Sequence, residues 1–292
     1  MKTTEVIDLG PGTEALSQDV CDRTIEALEA GYVVFLPRYG FPVTDSDKPL
    51  FSPSLLNKDS KNVSYNPATR KLGGITTSQE TTALLQGMMQ RFADFARQLL
   101  MRVSPDYRNG LNQARASFRP VEIEGRASSW RKDDTRLHVD AFPSSPTQGK
   151  RILRLFCNIN PDGRSRIWRI GEPFEQVAKR FLSSIKPPVP FSATLLQLFG
   201  ITKSRQTPYD YYMLRLHDAM KADERYQAEV EKIELDFPAG STWLVFADQV
   251  SHAAIRGQYQ LEQTFLIDLE QLRHKDQSPL RTLERLVGQK LI

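Results

Sequence analysis

The chain has 292 residues, 40% of them hydrophobic, with 39 Lys and Arg against 35 Asp and Glu for a formal charge of +4. That length supports one large core, or a core with appendages, and no apolar run approaches membrane-spanning length. Two cysteines, Cys21 and Cys157, exclude a disulfide framework and lack metal-site spacing, so reduced, buried thiols are expected. The N-terminal Met1 to Val6 stretch lacks the charged-then-apolar pattern of a signal peptide, and the expectation is a soluble, cytoplasmic protein. A pI near 9.0 modestly favours anionic partners such as nucleic acid, anionic lipid or an acidic small molecule.

In chain order, residues 15–30 carry Val20, Ile25 and Leu28 at helical spacing, and residues 31–37 then read as a strand. Residues 45–74 are rich in Ser, Pro, Asn and Lys and read as a long surface loop, a candidate lid. From residue 77 to 103 the apolar positions Leu84, Leu85, Met88, Met89, Phe92, Phe95, Leu99 and Leu100 predict a packing helix. Residues 114–124, 135–141, 151–160, 232–237, 242–248 and 258–268 have strand character. A helical insertion comprises residues 171–182, a Pro-rich break at 186–190, and residues 209–233. Residues 278–287 predict a short amphipathic helix, expected to pack on the sheet, with membrane contact as the alternative.

The expected fold is therefore α+β with a mainly β core, a curled antiparallel sheet or barrel with flanking helices. As a single catalytic domain over residues 1–292, it would divide into 1–113 (helices, strand and lid), 114–170 with 232–268 (β core), 171–231 (helical insertion) and 269–292 (C-terminal helix).

Two histidines 114 residues apart carry the chemistry: His138 in Leu137-His138-Val139-Asp140-Ala141-Phe142-Pro143, and His252 in Asp248-Gln249-Val250-Ser251-His252-Ala253. On a strand, residues i and i+2 share a face, so His138 and Asp140 can reach one ion while Val139 packs behind them. Residues 235–246 read as a Pro-Ala-Gly turn leading into a strand, with His252 one short loop later. Two neutral imidazoles and one carboxylate on one face of a metal leave other positions open for a co-substrate and O2, the facial triad of non-haem Fe(II).

These residues resemble the Fe(II)/2-oxoglutarate-dependent dioxygenase superfamily, whose double-stranded β-helix (a jelly-roll, cupin-like fold) carries His-x-Asp early and His late. More narrowly, the chain resembles the 3-deoxy-D-manno-oct-2-ulosonic acid (Kdo) 3-hydroxylases. The local likeness lies in His138 to Ser144, in Arg154-Leu155-Phe156-Cys157-Asn158-Ile159-Asn160-Pro161, in Tyr211 to Lys221, and in Leu261-Glu262-Gln263-Thr264-Phe265. The resemblance implies Fe(II), 2-oxoglutarate and O2 as cofactors, with ascorbate as an aid in keeping the iron reduced. It further implies hydroxylation at C3 of a Kdo sugar of lipid A precursors, giving Ko, and hence contact with the inner face of the cytoplasmic membrane.

One departure concerns 2-oxoglutarate. Many superfamily members place an Arg or Lys about ten residues after the distal His to clamp its far carboxylate, but here Gln260-Leu261-Glu262-Gln263-Thr264 offers no base. A buried dicarboxylate needs a cation, preferably a guanidinium. Arg154 is the first choice, on one face with Phe156 and Asn158 by period-two counting, with Gln263 as a supporting donor and Arg256 as second choice.

Bases are dense around the motif. Lys150, Arg151, Arg154, Arg164, Arg166 and Arg169, with Arg126, Arg131, Lys132 and Arg136 upstream, are either a solvated face or anchors for an acidic sugar. Arg126, Arg131, Arg136, Arg166 and His217 are the candidate substrate contacts. His217, directly before Asp218 on a helix, lacks the strand geometry of the triad, and His274 reads as exposed. Aromatic residues interleave poorly with these bases, which disfavours nucleic-acid stacking. Three rivals stand beside the hydroxylase reading: an oxygenase of a peptide, nucleobase or metabolite; a non-enzymatic cupin-like metal-binding module; and a basic nucleic-acid-binding protein, whose affinity would fall steeply with salt. Asp140 argues against a halogenase, which gives the carboxylate's place to halide.

Overall fold

The computed structural model describes residues 3–9, 16–126, 128–189 and 192–292. Its elements in chain order are β1 (Thr4–Val6), α1 (Gln18–Glu29), β2 (Val33–Leu36), β3 (Val63–Asn66), β4 (Lys71–Gly73), α2 (Gln79–Val103), β5 (Leu111–Arg119), β6 (Arg151–Asn158) and β7 (Arg166–Pro173). There follow α3 (Phe174–Phe181), α4 (Ser192–Leu198), α5 (Pro208–Ala222), α6 (Glu224–Glu229), β8 (Ile233–Phe237), β9 (Thr242–Phe246), β10 (Val250–Arg256), β11 (Gln260–Ile267) and α7 (Pro279–Val287).

Helix starts are set by hydroxyl caps. Ser17 accepts from the Val20 amide and Ser78 from the Thr81 amide, so α1 and α2 begin at residues 18 and 79, inside the ranges expected from periodicity. Ala15 and Pro190 of the expected segments lie outside the described residues. At α5, Thr207 and Asp210 form a capping box ahead of Pro208, and Asp223 ends that helix by capping α6, dividing what reads as one helix over 209–233. Residues 171–173, expected in the helical insertion, instead finish β7.

An eight-stranded sheet, ordered β1-β2-β9-β6-β11-β5-β3-β4, faces a three-stranded sheet ordered β10-β7-β8. All pairings are antiparallel except β1 with β2. This two-sheet arrangement is the jelly-roll expected from the resemblance. The central β6 and β9 are almost wholly buried, as strands covered on both faces must be. The large sheet packs its outer face on α2, whose Leu85, Met88, Met89 and Phe92 are fully buried, so the methionine-aromatic stripe is core. Residues 45–74 are no free lid: they fold as short 3-10 turns and the β3–β4 hairpin, with β3 pairing β5 through Val63↔Phe118 to Tyr65↔Ala116. Alternating burial of Val63 and Tyr65 supplies the strand pattern that the polar composition obscures. The C-terminal α7 buries Leu280 and Leu283, so its apolar face is spent on packing. Cys21 and Cys157 are both free and buried, as expected.

Between the sheets lies a second core of aromatics. Trp243 stacks on Phe237 with ring centroids 4.1 Å apart and on Phe156 at 5.3 Å, and Trp168 meets Trp243 edge-on at 5.6 Å. Trp168 in turn stacks on His252, centroids 5.1 Å apart. Trp243→Ala is therefore expected to cost about 3–5 kcal/mol of stability in chemical denaturation, and to loosen the wall that seats His252.

Candidate active site

His138, Asp140 and His252 are all buried and present ligand atoms that lie within 4.8 Å of one another. The reason is backbone pairing. His138 and His252 exchange both main-chain hydrogen bonds, 3.0 and 2.9 Å long, in an isolated antiparallel bridge, and the Asp140 amide donates to Ala247 O at 2.8 Å. Residues 135–141 thus form only this bridge and no extended strand, while Val139 is fully buried on the far side as expected. His252 follows β9 after the short connection 247–249, as expected, and sits within β10, a strand that the sequence reading did not name. Register shifts flank it between Val250 and His252 and between Ala254 and Arg256, and such bulges re-aim side chains.

Each imidazole is oriented by its own strand. Nδ1 of His138 lies 2.8 Å from Arg136 O, and Nδ1 of His252 lies 2.8 Å from Val250 O. A carbonyl only accepts, so Nδ1 carries the proton and the Nε2 lone pair is left for a metal. Nε2 of His138 is 3.7 Å from Asp140 Oδ1. Burial lowers both histidine pKa values; for His138 the neighbours His252, Lys221 and His217 push it further, well below 6.5. Protons therefore compete weakly for these lone pairs. Binding of Co(II), followed by its absorbance, is expected to persist to lower pH than two ordinary imidazoles would allow, and to be lost as the pH falls further.

The triad opens on a cavity of about 190 Å³ lined by Arg119, Arg131, Asp134, Arg154, Phe156, Arg166, Trp168, His217, Lys221, Gln260 and Glu262. Of the ten buried side-chain polar atoms without a hydrogen-bond partner among the described residues, five belong to this wall: Asp140 Oδ2, Arg154 Nε, Arg166 Nε, Trp168 Nε1 and Gln260 Oε1. Orphaned polar atoms cost free energy unless a ligand satisfies them. Their concentration around two metal-ready imidazoles fits a bound metal with a polar co-ligand.

The candidate 2-oxoglutarate residues separate in the structure. Arg154 reaches the cavity, but its guanidinium lies between two carboxylates, with Nε 2.7 Å from Asp140 Oδ2 and a terminal nitrogen 2.5 Å from Glu262 Oε1. The Nε contact is a charge contact only, since neither atom has a hydrogen-bond partner. Although burial alone would raise the Glu262 pKa, Arg154 and Arg119 outweigh it and hold that carboxyl below its ordinary value. Gln263 is turned away, donating to Ala114 O and Thr264 O. Asn158 spends its amide on Arg164 O and Phe237 O, and Arg256 is exposed. Those three do not line the cavity: Gln263 alternates with the cavity-lining Glu262, Arg256 lies beyond a register shift, and Asn158, though on the face of Arg154 and Phe156, lies at the end of β6, bonded to Arg164 O and Phe237 O.

Of the candidate substrate contacts, Arg131, Arg166 and His217 line the cavity. Arg126 instead pairs with Asp134 at 2.8 Å, and Arg136 bonds Lys221 O and lines a separate surface cleft with Arg169 and Lys232. The His217 ring stands edge-on to His138 at 5.4 Å, and its Nδ1 is 3.0 Å from Asp218. His274 is half-buried beside Glu26, more sheltered than its sequence neighbours suggest.

Arg166 is the most informative of the cavity cations. It is 2% exposed, donates only to Gly257 O, and has no carboxylate partner among the described residues. Burial, reinforced by Arg119, pushes its pKa down to about 9, still leaving it charged at neutral pH. Period-two alternation on β7 explains its placement, with Arg166 and Trp168 facing the cavity while Arg169 faces out to Glu234.

Several residues of the wall escaped the sequence reading as site residues: Arg119, Asp134, Phe156, Trp168, Lys221, Gln260 and, as a partner rather than a missing base, Glu262. Lys221 lies one helical turn after His217 on α5, so i,i+4 spacing was its available signal. Arg119 and Glu262 meet across the β5–β11 pairing, which only the register reveals.

A comparison with curated protein sequences returns no match. Three crystal structures of the Kdo hydroxylase KdoO, a non-heme Fe(II) alphaketoglutarate dependent dioxygenase, are similar to this chain at 46% identity, covering 100% of it and 98% of KdoO. With alphaketoglutarate and Fe(III) bound the TM-score is 0.95, with cobalt(II) 0.96, and with succinate and Fe(III) 0.95. A profile for 3-deoxy-D-manno-oct-2-ulosonic acid (Kdo) hydroxylase matches residues 12–290, and with that match over nearly its whole length the chain belongs to the Kdo hydroxylase family.

Proposed function

We propose that the chain is an Fe(II)/2-oxoglutarate-dependent dioxygenase that hydroxylates C3 of a Kdo sugar in Kdo-bearing lipid A, giving Ko. The observation that carries this reading is the buried triad, with both Nε2 lone pairs free, opening on a cavity whose wall concentrates cations and unpartnered polar atoms. His138, Asp140 and His252 hold the iron. Bound there, the iron supplies the redox chemistry by which 2-oxoglutarate and O2 become succinate and CO2 while one oxygen atom enters the substrate C–H bond.

The protein's own part is placement and charge. Arg166, a buried cation with no carboxylate in ion-pair contact among the described residues, receives the far carboxylate of 2-oxoglutarate in preference to Arg154, whose charge is already balanced by Asp140 and Glu262. Arg154 acts as the positioning residue for Asp140. Arg131, His217 and Lys221, on the opposite wall, face the acidic sugar; Lys221 is 2% exposed, and burial lowers its pKa against the pull of Asp134 and Asp140. Phe156 and Trp168, buried beside Arg154 and Arg166 on β6 and β7, supply the cavity's aromatic surface, a contact that favours one bound orientation of the reacting C–H.

No helix among the described residues is long and apolar enough to cross a membrane; in this reading a lipid-linked substrate is met by peripheral contact on the cytoplasmic face. The test is anaerobic reconstitution with Fe(II) and 2-oxoglutarate, then O2 and Kdo-bearing lipid A, following succinate and the gain of one oxygen on the sugar by mass spectrometry. Coupled products support the reading. Succinate without the sugar product keeps the oxygenase and rejects this substrate, and neither product despite bound iron favours a metal-binding module.

A further inference from the structure

The described residues include eight exposed large hydrophobic side chains, and five of them fall within thirteen residues: Val189 at 72% exposure, Leu195 at 51%, Leu198 at 76%, Phe199 at 73% and Ile201 at 57%. The other three, Val6, Val43 and Ile292, are scattered singly along the chain, as is ordinary on a protein surface.

This projection is built rather than frayed. Helix α4 closes where Gly200 takes a left-handed φ of 68°, and the amides of Ile201 and Thr202 both return to Leu196 O. That turn carries Phe199 and Ile201 outward while Thr202 is buried. Both ends of the excursion are fastened: Tyr211 Oη donates to Lys186 O at 3.0 Å, and the Lys203 amide donates to Ser144 O at 2.9 Å. Ser144 lies four residues beyond the metal-ligating Asp140, and α5, which begins where the excursion ends, carries His217 and Lys221 into the cavity wall.

The charge around the apolar tip has one sign. From residue 176 to 209 the sequence holds Lys179, Arg180, Lys186, Lys203 and Arg205 and not one Asp or Glu. Lys179 and Arg180 pair with Glu175 and Glu172, whereas Lys186, Lys203 and Arg205 are exposed and have no carboxylate partner among the described residues. Apolar side chains at a tip, rimmed by unpaired bases with no acid between them, match an interface whose apolar layer lies beneath anionic headgroups. We infer that residues 186–189 and 192–205 are the surface by which this chain docks on an anionic lipid membrane, with Leu195, Leu198, Phe199 and Ile201 entering the headgroup boundary and Lys186, Lys203 and Arg205 on phosphates. The inference rests on the lipid-linked substrate reading for its purpose, and it gives that reading a location.

The test is co-sedimentation of the full chain with vesicles of phosphatidylcholine alone or containing phosphatidylglycerol. The expected result is binding to the anionic vesicles that weakens with salt. Affinity should fall roughly tenfold or more in both the Leu198→Ser/Phe199→Ser and the Lys203→Glu/Arg205→Glu variants. Turnover of a water-soluble Kdo glycoside should remain at the wild-type level in both, which also reports that they fold. Wild-type protein that ignores anionic vesicles, or variants that bind them as wild type does, would overturn the docking surface. So would wild-type dimers, seen by light scattering, that Leu198→Ser/Phe199→Ser dissociates while vesicle binding persists, since the patch would then cover a second copy. Vesicle binding without hydroxylation of any Kdo substrate leaves docking in place and sinks the substrate reading; hydroxylation of the soluble glycoside without vesicle binding does the reverse.

Discussion

His138→Ala, Asp140→Ala and His252→Ala are each expected to abolish hydroxylation while leaving the fold intact. Even the outer partners of metal ligands are worth roughly 10–100-fold in affinity or activity, so loss of a ligand should exceed that range. The fold should survive because each histidine is buried in its neutral form and its removal strands no charge, while loss of Asp140 leaves Arg154 still paired to Glu262. Metal stoichiometry after Fe(II) or Co(II) loading, with circular dichroism and thermal melting as controls, checks the assignment. A His252→Ala protein that keeps full metal occupancy and turnover would show that this triad is not the iron site.

Arg166→Met is expected to raise the KM for 2-oxoglutarate by roughly 30-fold or more, because removing one partner of a buried charge pair costs about 2–5 kcal/mol. Its kcat at saturation should change far less. The same substitution should not lower the melting temperature of the ligand-free protein, since a buried cation with no carboxylate in ion-pair contact among the described residues gives way to an apolar chain of similar length. The rise in melting temperature that 2-oxoglutarate gives the wild type should be lost. Arg154→Ala is expected to behave differently. It leaves Asp140 and Glu262 facing each other without their shared cation, so stability and metal binding should suffer first. If Arg154→Ala raises the KM for 2-oxoglutarate and Arg166→Met does not, the far carboxylate lies on Arg154.

These two residues show where a one-dimensional pattern stops. Period-two counting correctly places Arg154 beside Phe156 facing the cavity, and it would have done the same for Arg166 and Trp168 had residues 166–173 been read as a strand. The bases Arg164, Arg166 and Arg169 make that stretch look like a solvated basic run, because nothing in the local sequence says that a second sheet covers it. What separates Arg154 from Arg166 is the company each keeps. Glu262 stands where a clamping base is usual in related enzymes, and its neutralisation of Arg154 and Arg119 depends on how β11 registers between β5 and β6.

What the sequence by itself determined are the features written in short-range chemistry: the His-x-Asp ligands and the distal His, the periodicity of the helices, the mainly β core with a helical insertion, and the likeness to a hydroxylase family. Those need only neighbouring residues or a spaced motif. Tertiary structure alone decided which of the cavity arginines has no carboxylate partner among the described residues, that residues 45–74 join the large sheet, that α7 spends its apolar face on packing while the α4 tip keeps its own exposed, and that Gln263, Asn158 and Arg256 do not line the cavity. The physical reason is that charge compensation and burial belong to pairs of side chains brought together by strand register and sheet packing. A single chain position carries no information about the partner it will meet across 100 residues or more.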